Sequence, residues 1–158
     1  MVRATAVLLV LCALAGCGGG RESVRATTAP PPPAAAGLPS ELAGYDGWTK
    51  LNDAPIPPRE ADPHSGTKDV YASVAAGADG VYPDGAIVVK EAARPGAGFV
   101  GLVAMMRKER GSDPEHNDWV MVEWVRERPD EPYRELARGA VCTSCHVQAE
   151  ATDYVFTR

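Results

Sequence analysis

Near the end of the chain, Cys142-Thr143-Ser144-Cys145-His146 places two thiols and an imidazole within five residues. Three chemistries use such a spacing: structural zinc binding, dithiol–disulfide exchange and covalent attachment of a haem. Structural zinc takes four ligands, and no second Cys/His pair accompanies this one; His64 and His116 stand alone in the sequence. A thioredoxin-type dithiol follows a strand and opens a helix near the start of an α/β domain. This motif lies near the C-terminus with no parallel-β pattern around it. Cys-x-x-Cys-His is also the attachment signature of a c-type haem. Both thiols add to the vinyl groups, and the histidine that follows is placed to bind iron on the proximal side. The residues favour this reading, with zinc and redox use as its alternatives.

Haem attachment of this kind takes place outside the cytoplasm, and the other end of the chain agrees. In MVRATAVLLVLCALAGCGGG, Arg3 is a short positive start and Val7 to Leu14 is an apolar run too short to span a bilayer. Small residues follow, so residues 1–16 read as a secretory signal. Leu14-Ala15-Gly16-Cys17 looks like a bacterial lipobox, with Cys17 as the lipidated residue. An ordinary cleavage site is the plainer alternative. The expected product is a periplasmic or cell-surface lipoprotein anchored through Cys17. Cys12 leaves with the signal, and Cys142 and Cys145 then have no partners for a disulfide framework.

The 158-residue chain carries a formal net charge of −5, and loss of residues 1–16 removes Arg3 and no acid. Nucleic-acid binding, which needs a basic face, is excluded as an expectation. Residues 18–39 contain GGG and TTAPPPPAAAG and read as an extended tether. Residues 40–158 remain for one folded domain.

Within that domain the apolar residues alternate with a period of two. Strands are expected over 69–74 (DVYASV), 85–92 (GAIVVKEA), 99–107 (FVGLVAMMR) and 119–126 (WVMVEWVR), separated by turns such as Pro83-Asp84-Gly85. Short links favour antiparallel pairing. Tyr133, Leu136, Ala137, Ala140 and Val141 then fall at helical spacing and predict a helix running into the CTSCH motif. A shorter helix is expected near Pro39 to Tyr45, capped by Ser40. The fold class is therefore α+β and mainly β: an antiparallel sheet with a few helices, packing one haem.

Several polar residues sit awkwardly in these strands. Both faces of the second strand are apolar before Lys90 and Glu91. One of the two then faces something other than bulk water, unless the strand ends there and both are solvated. Glu123 lies in a strongly apolar strand, where it is either a pocket carboxylate, a partner for Lys90, or an edge residue facing water. Met105, Met106 and Met121 raise the question of a sixth iron ligand, although core packing in strands also accounts for them.

Taken together, GTKDVYASV, YPDGAIVVKEA, DWVMVEW, AVCTSCH and the tail TDYVFTR resemble the cytochrome P460 family in the right order over about residues 60–158. The resemblance implies one covalently bound haem c held by Cys142, Cys145 and His146. It implies a further covalent bond from a lysine to the porphyrin, at the position of Lys90, and an iron whose distal side is open. The family's namesakes oxidise hydroxylamine, while the related cytochromes c-prime-beta bind nitric oxide. Oxidation of hydroxylamine removes protons and calls for a base. The expected helix face before the motif, with Tyr133, Leu136, Ala137 and Ala140, offers none, and Glu135 and Arg138 fall on its other face. Glu123 is then the candidate distal base. The readings are an oxidoreductase, a nitric oxide-binding protein or an electron-transfer cytochrome. Their partners would be hydroxylamine or nitric oxide, a soluble cytochrome accepting electrons, the membrane through the lipid, and a second copy of the chain as a homodimer.

Overall fold

A computed structural model of the protein describes residues 32–157. The signal over 1–16, Cys17 and all but the last residues of the 18–39 tether lie outside the described residues.

Six strands form one antiparallel sheet in chain order: β1 (Thr49–Lys50), β2 (Lys68–Ala72), β3 (Ile87–Ala93), β4 (Val100–Lys108), β5 (Trp119–Val125) and β6 (Arg134–Arg138). The expected strands coincide with β2 to β5 to within a few residues, because β3 to β5 are apolar on both faces and β2 alternates between a buried and a half-buried face. Along β3, Val88 packs on one face and Val89 on the other; along β5, Met121 and Val122 do the same. The first face holds Val70, Val88, Met106, Trp119, Met121, Tyr154 and Val155. The second holds Leu42, Val89, Val103, Met105, Val122, Trp124 and Tyr133 under the N-terminal segment.

The helix expected from Tyr133 into the motif is not formed. Arg134–Arg138 instead pairs with β5 as the last strand, and only Ala140–His146 is helical (α1). The apparent helical face mixed two destinations. Tyr133 turns to the second core, where its hydroxyl donates to the Val100 carbonyl at 2.7 Å, whereas Ala137 lies opposite Glu123 on the first face. A five-residue edge strand has little alternation to display, and Arg134, Glu135 and Arg138 give it the charged character of an edge. Gly139 makes the corner from β6 to α1 at φ 64°, ψ −126°, a conformation open to glycine. Its carbonyl accepts from the amides of Cys142 and Thr143 and so starts α1.

The short helix near residue 40 is two 3₁₀ turns, Ser40–Leu42 and Tyr45–Gly47, and Ser40 does not cap them. Glycine-rich spacing there admits turns and not a continued α-helix. The backbone of Ala36 also joins the fold, its carbonyl accepting from the amide of Tyr133 at 2.8 Å. Among the described residues no helix is long and apolar enough to cross a membrane.

Candidate cofactor site

Strand register brings the awkward polar residues onto one line. Val70, Lys90, Ala104, Glu123 and Ala137 are successive cross-strand partners from β2 to β6. Cross-strand partners share a face of the sheet, and strands lie about 4.8 Å apart. Lys90 and Glu123 therefore rise from the same face, two strand spacings apart, with only the methyl of Ala104 between them. Above this floor is a cavity of about 540 Å³. Helix α1 contributes Cys142, Cys145 and His146 to it, the loop before β2 contributes His64, and the C-terminal tail contributes Phe156.

Lys90 is the member of the Lys90–Glu91 pair that faces the cavity. Glu91 turns to the other face, where Tyr45 and Tyr71 donate hydroxyls to it at 2.7 and 3.3 Å. Burial first, and then that contact, hold both phenols above their usual range, Tyr71 at about 12. Burial lowers Lys90 to about 8, with Lys68 and Arg59 adding to the effect and Asp62 opposing it. The ammonium stands 5.4 Å from the centre of the Phe156 ring and, among the described residues, has no carboxylate in contact.

Glu123 is buried, with 6% of its surface exposed. Its Oε2 lies 3.4 Å from Nε2 of His64, while its Oε1 has no hydrogen-bond partner. An orphaned buried carboxylate oxygen is costly, and a native site that retains one calls for an explanation in function or in a missing partner. His64, alone in the sequence, was not legible as part of the site. It is brought there by the loop in which its own amide donates to Asp62 at 3.0 Å, and its ring centre lies 6.4 Å from that of His146. His116 stays away, against Asp113 at 2.8 Å.

The ring of His146 is buried, and its Nδ1 lies 2.7 Å from the carbonyl oxygen of Tyr154. A carbonyl can only accept, so Nδ1 carries the proton and Nε2 keeps its lone pair free for a metal. Burial is the main reason the imidazole is lowered to about 4, with the Tyr154 contact opposing and Lys90 and His64 assisting. Cys142 and Cys145 are free thiols. Burial first, then Glu123 and Cys145, raise the Cys142 thiol, whereas a dithiol built for exchange is lowered. Among the described residues no three His, Cys, Asp or Glu side chains are grouped to hold a metal ion by themselves. Neither the zinc nor the dithiol alternative gains support from this geometry.

A haem fits what the residues offer. Two thiols and a neutral imidazole with a free Nε2 border a cavity of the size usual for cofactors. Leu136 and Val141, exposed by 54% and 62%, line the same cavity and would be covered by a large apolar group. Met105, Met106 and Met121 line a smaller space that shares His64, Lys90, Glu123 and His146 with this cavity, and they also pack in the cores, Met105 in the second and Met106 and Met121 in the first.

A cavity large enough for a haem, floored by an antiparallel sheet and edged by a Cys-x-x-Cys-His helix, is the arrangement of a cytochrome. A sequence profile of the cytochrome P460 family matches residues 42–157, a span that includes all six strands, α1 and most of the tail, and the chain belongs to that family. Membership implies a haem cofactor. No curated protein matches the chain.

Proposed function

We propose that the protein is an exported mono-haem c-type cytochrome that oxidises hydroxylamine or a related reduced nitrogen species. The observation that supports it is the convergence of Lys90, Glu123, His64, His146 and both motif thiols on one cavity. In this reading Cys142 and Cys145 form the thioethers, His146 binds the iron through Nε2, and Lys90 bonds to the porphyrin. A haem held there would supply an iron able to accept electrons from the nitrogen species. Glu123 takes protons from the bound substrate through Oε1, which has no competing partner. His64 orients that carboxylate from Oε2 and passes the proton toward the rim, where it too borders the cavity. Lys90, lowered by burial, would present a neutral, nucleophilic amine at mildly alkaline pH; joining it to the porphyrin would replace an N–H and a ring C–H by a C–N bond, with the two protons and two electrons passing to a two-electron oxidant such as a peroxide.

Steady-state hydroxylamine oxidation by the haem-loaded protein, with an electron acceptor supplied, tests the reading. Turnover in the wild type that is lost in Lys90→Ala supports it; no turnover in a protein with a fully linked haem contradicts it. A second reading, a six-coordinate electron carrier, is favoured by one distance, the 6.4 Å between the rings of His64 and His146. Two imidazoles so placed could share one metal. A low-spin spectrum that becomes high-spin in His64→Ala would select that reading. A high-spin wild type that binds nitric oxide without oxidising hydroxylamine would select the nitric oxide-binding one.

A further inference from the structure

The tail motif TDYVFTR has a centre of its own, outside the cavity. Asp153 is 4% exposed, and its carboxylate accepts from four residues in three separate stretches of chain. Lys108, the last residue of β4, donates Nζ to both oxygens at 2.8 and 2.9 Å. Asn117 donates to Oδ1 at 2.5 Å, the indole of Trp119 at the start of β5 donates to Oδ1 at 3.1 Å, and the amide of Tyr82 donates to Oδ2 at 2.8 Å. Lys108 is itself buried, and its ammonium lies 4.5 Å from the Trp119 ring centre.

A terminal segment can be held to a sheet by a few apolar contacts, and Val155 already packs in the first core. A buried ion pair with three further donors is a demanding way to add to that, since taking either charge out of water is costly. What it adds is position. Asp153 and Tyr154 both take left-handed backbone, at φ 50° and 66°. For a tyrosine that conformation is strained and persists only when the surroundings over-determine it. The outcome is that the Tyr154 carbonyl is aimed at Nδ1 of His146 at 2.7 Å, and the Phe156 ring stands edge-on to the same imidazole at 5.3 Å.

We propose that Asp153 is a positioning residue for the proximal histidine: anchored by Lys108, Asn117, Trp119 and the Tyr82 amide, it fixes the carbonyl that holds the His146 tautomer and sets the donor strength of Nε2. Partners on the far nitrogen of a metal-bound histidine orient the ring and raise its basicity. The inference rests on the reading of His146 as the iron ligand.

The test uses haem-loaded protein carrying Asp153→Asn, and Asp153→Asn with Lys108→Met so that no unpaired ammonium is left buried. Asp69→Asn breaks the Lys50–Asp69 pair at 2.8 Å, on the far edge of the sheet, and is the control for a general loss of stability. With Asp153 neutralised, the reduction potential rises and the iron–histidine stretching band of the reduced protein moves to lower frequency, because a weaker Nδ1–H···O bond makes a poorer donor. Haem staining on a denaturing gel is retained, and the control shifts neither quantity. A melting temperature that falls while potential and stretching band stay at wild-type values overturns the inference and leaves Asp153 a structural tie. Absence of covalent haem in the wild type overturns the underlying reading instead, and this inference with it.

Discussion

At the scale of single residues, the site depends on two ionisable groups on one side of a sheet. In a chain without haem, Lys90 has a folded value of about 8 against an unfolded value near 10.4. Between those values the unfolded chain holds a proton that the folded chain has released. Stability therefore rises with pH across that window, by at most roughly 1.4 kcal/mol per unit, and the burial penalty is felt in full below it. Chemical denaturation of a Cys142→Ser/Cys145→Ser protein from pH 7 to 10.5 should show this slope, and Lys90→Met should flatten it. For the haem-loaded protein, Glu123→Gln should lower the rate of hydroxylamine oxidation by about 10²–10⁴-fold with haem attachment intact, the range for loss of a positioned base. A rate within a factor of two of wild type would remove Glu123 from the chemistry. Alternation marked Lys90, Glu91 and Glu123 as charges in apolar strands but left open which of them is buried; the family resemblance pointed to Lys90, and the register decides the rest by turning Glu91 to the other face and burying Glu123. His64 could not, since its carboxylate partner lies on β5 and nothing in its neighbours signals the contact.

At the scale of elements, long strands were legible and short edges were not. The period-two pattern of β3, β4 and β5 reports burial on both faces, with Val88, Met106 and Met121 in one core and Val89, Val103, Met105 and Val122 in the other. Residues 133–138 carry no such pattern because the strand is an edge whose position comes from backbone pairing with β5. The loop that brings His64 to the cavity rests on Gly66, at φ 105°, where a Cβ would collide with the carbonyl of Ala93. The carbonyl of Gly66 also accepts from the buried Lys68 ammonium at 2.9 Å, beside the Lys68–Asp62 pair at 2.6 Å. Gly66→Ala should destabilise the fold by about 1–3 kcal/mol through backbone strain alone, more if the loop cannot shift. The melting temperature should fall by several degrees, and a shift below one degree would mean that the loop adapts freely.

For the whole molecule, we propose that a lipid on Cys17 anchors the chain to a membrane. Cys17→Ser should move the protein from the membrane fraction to the soluble one, because among the described residues no helix is long and apolar enough to cross a membrane. Retention with membranes would contradict the lipid assignment. The central claim is that one haem is held by the CTSCH helix and by Lys90 across the cavity, and its most direct test is mass spectrometry of proteolytic peptides from the mature protein. The account predicts one haem-bearing species in which the peptide containing Cys142 and Cys145 remains joined, through the haem, to the peptide containing Lys90. A haem-free CTSCH peptide from protein matured in a haem-attaching host would contradict the site as a whole, and a free Lys90 peptide beside a haem-bearing CTSCH peptide would contradict the cross-link and the hydroxylamine chemistry built on it.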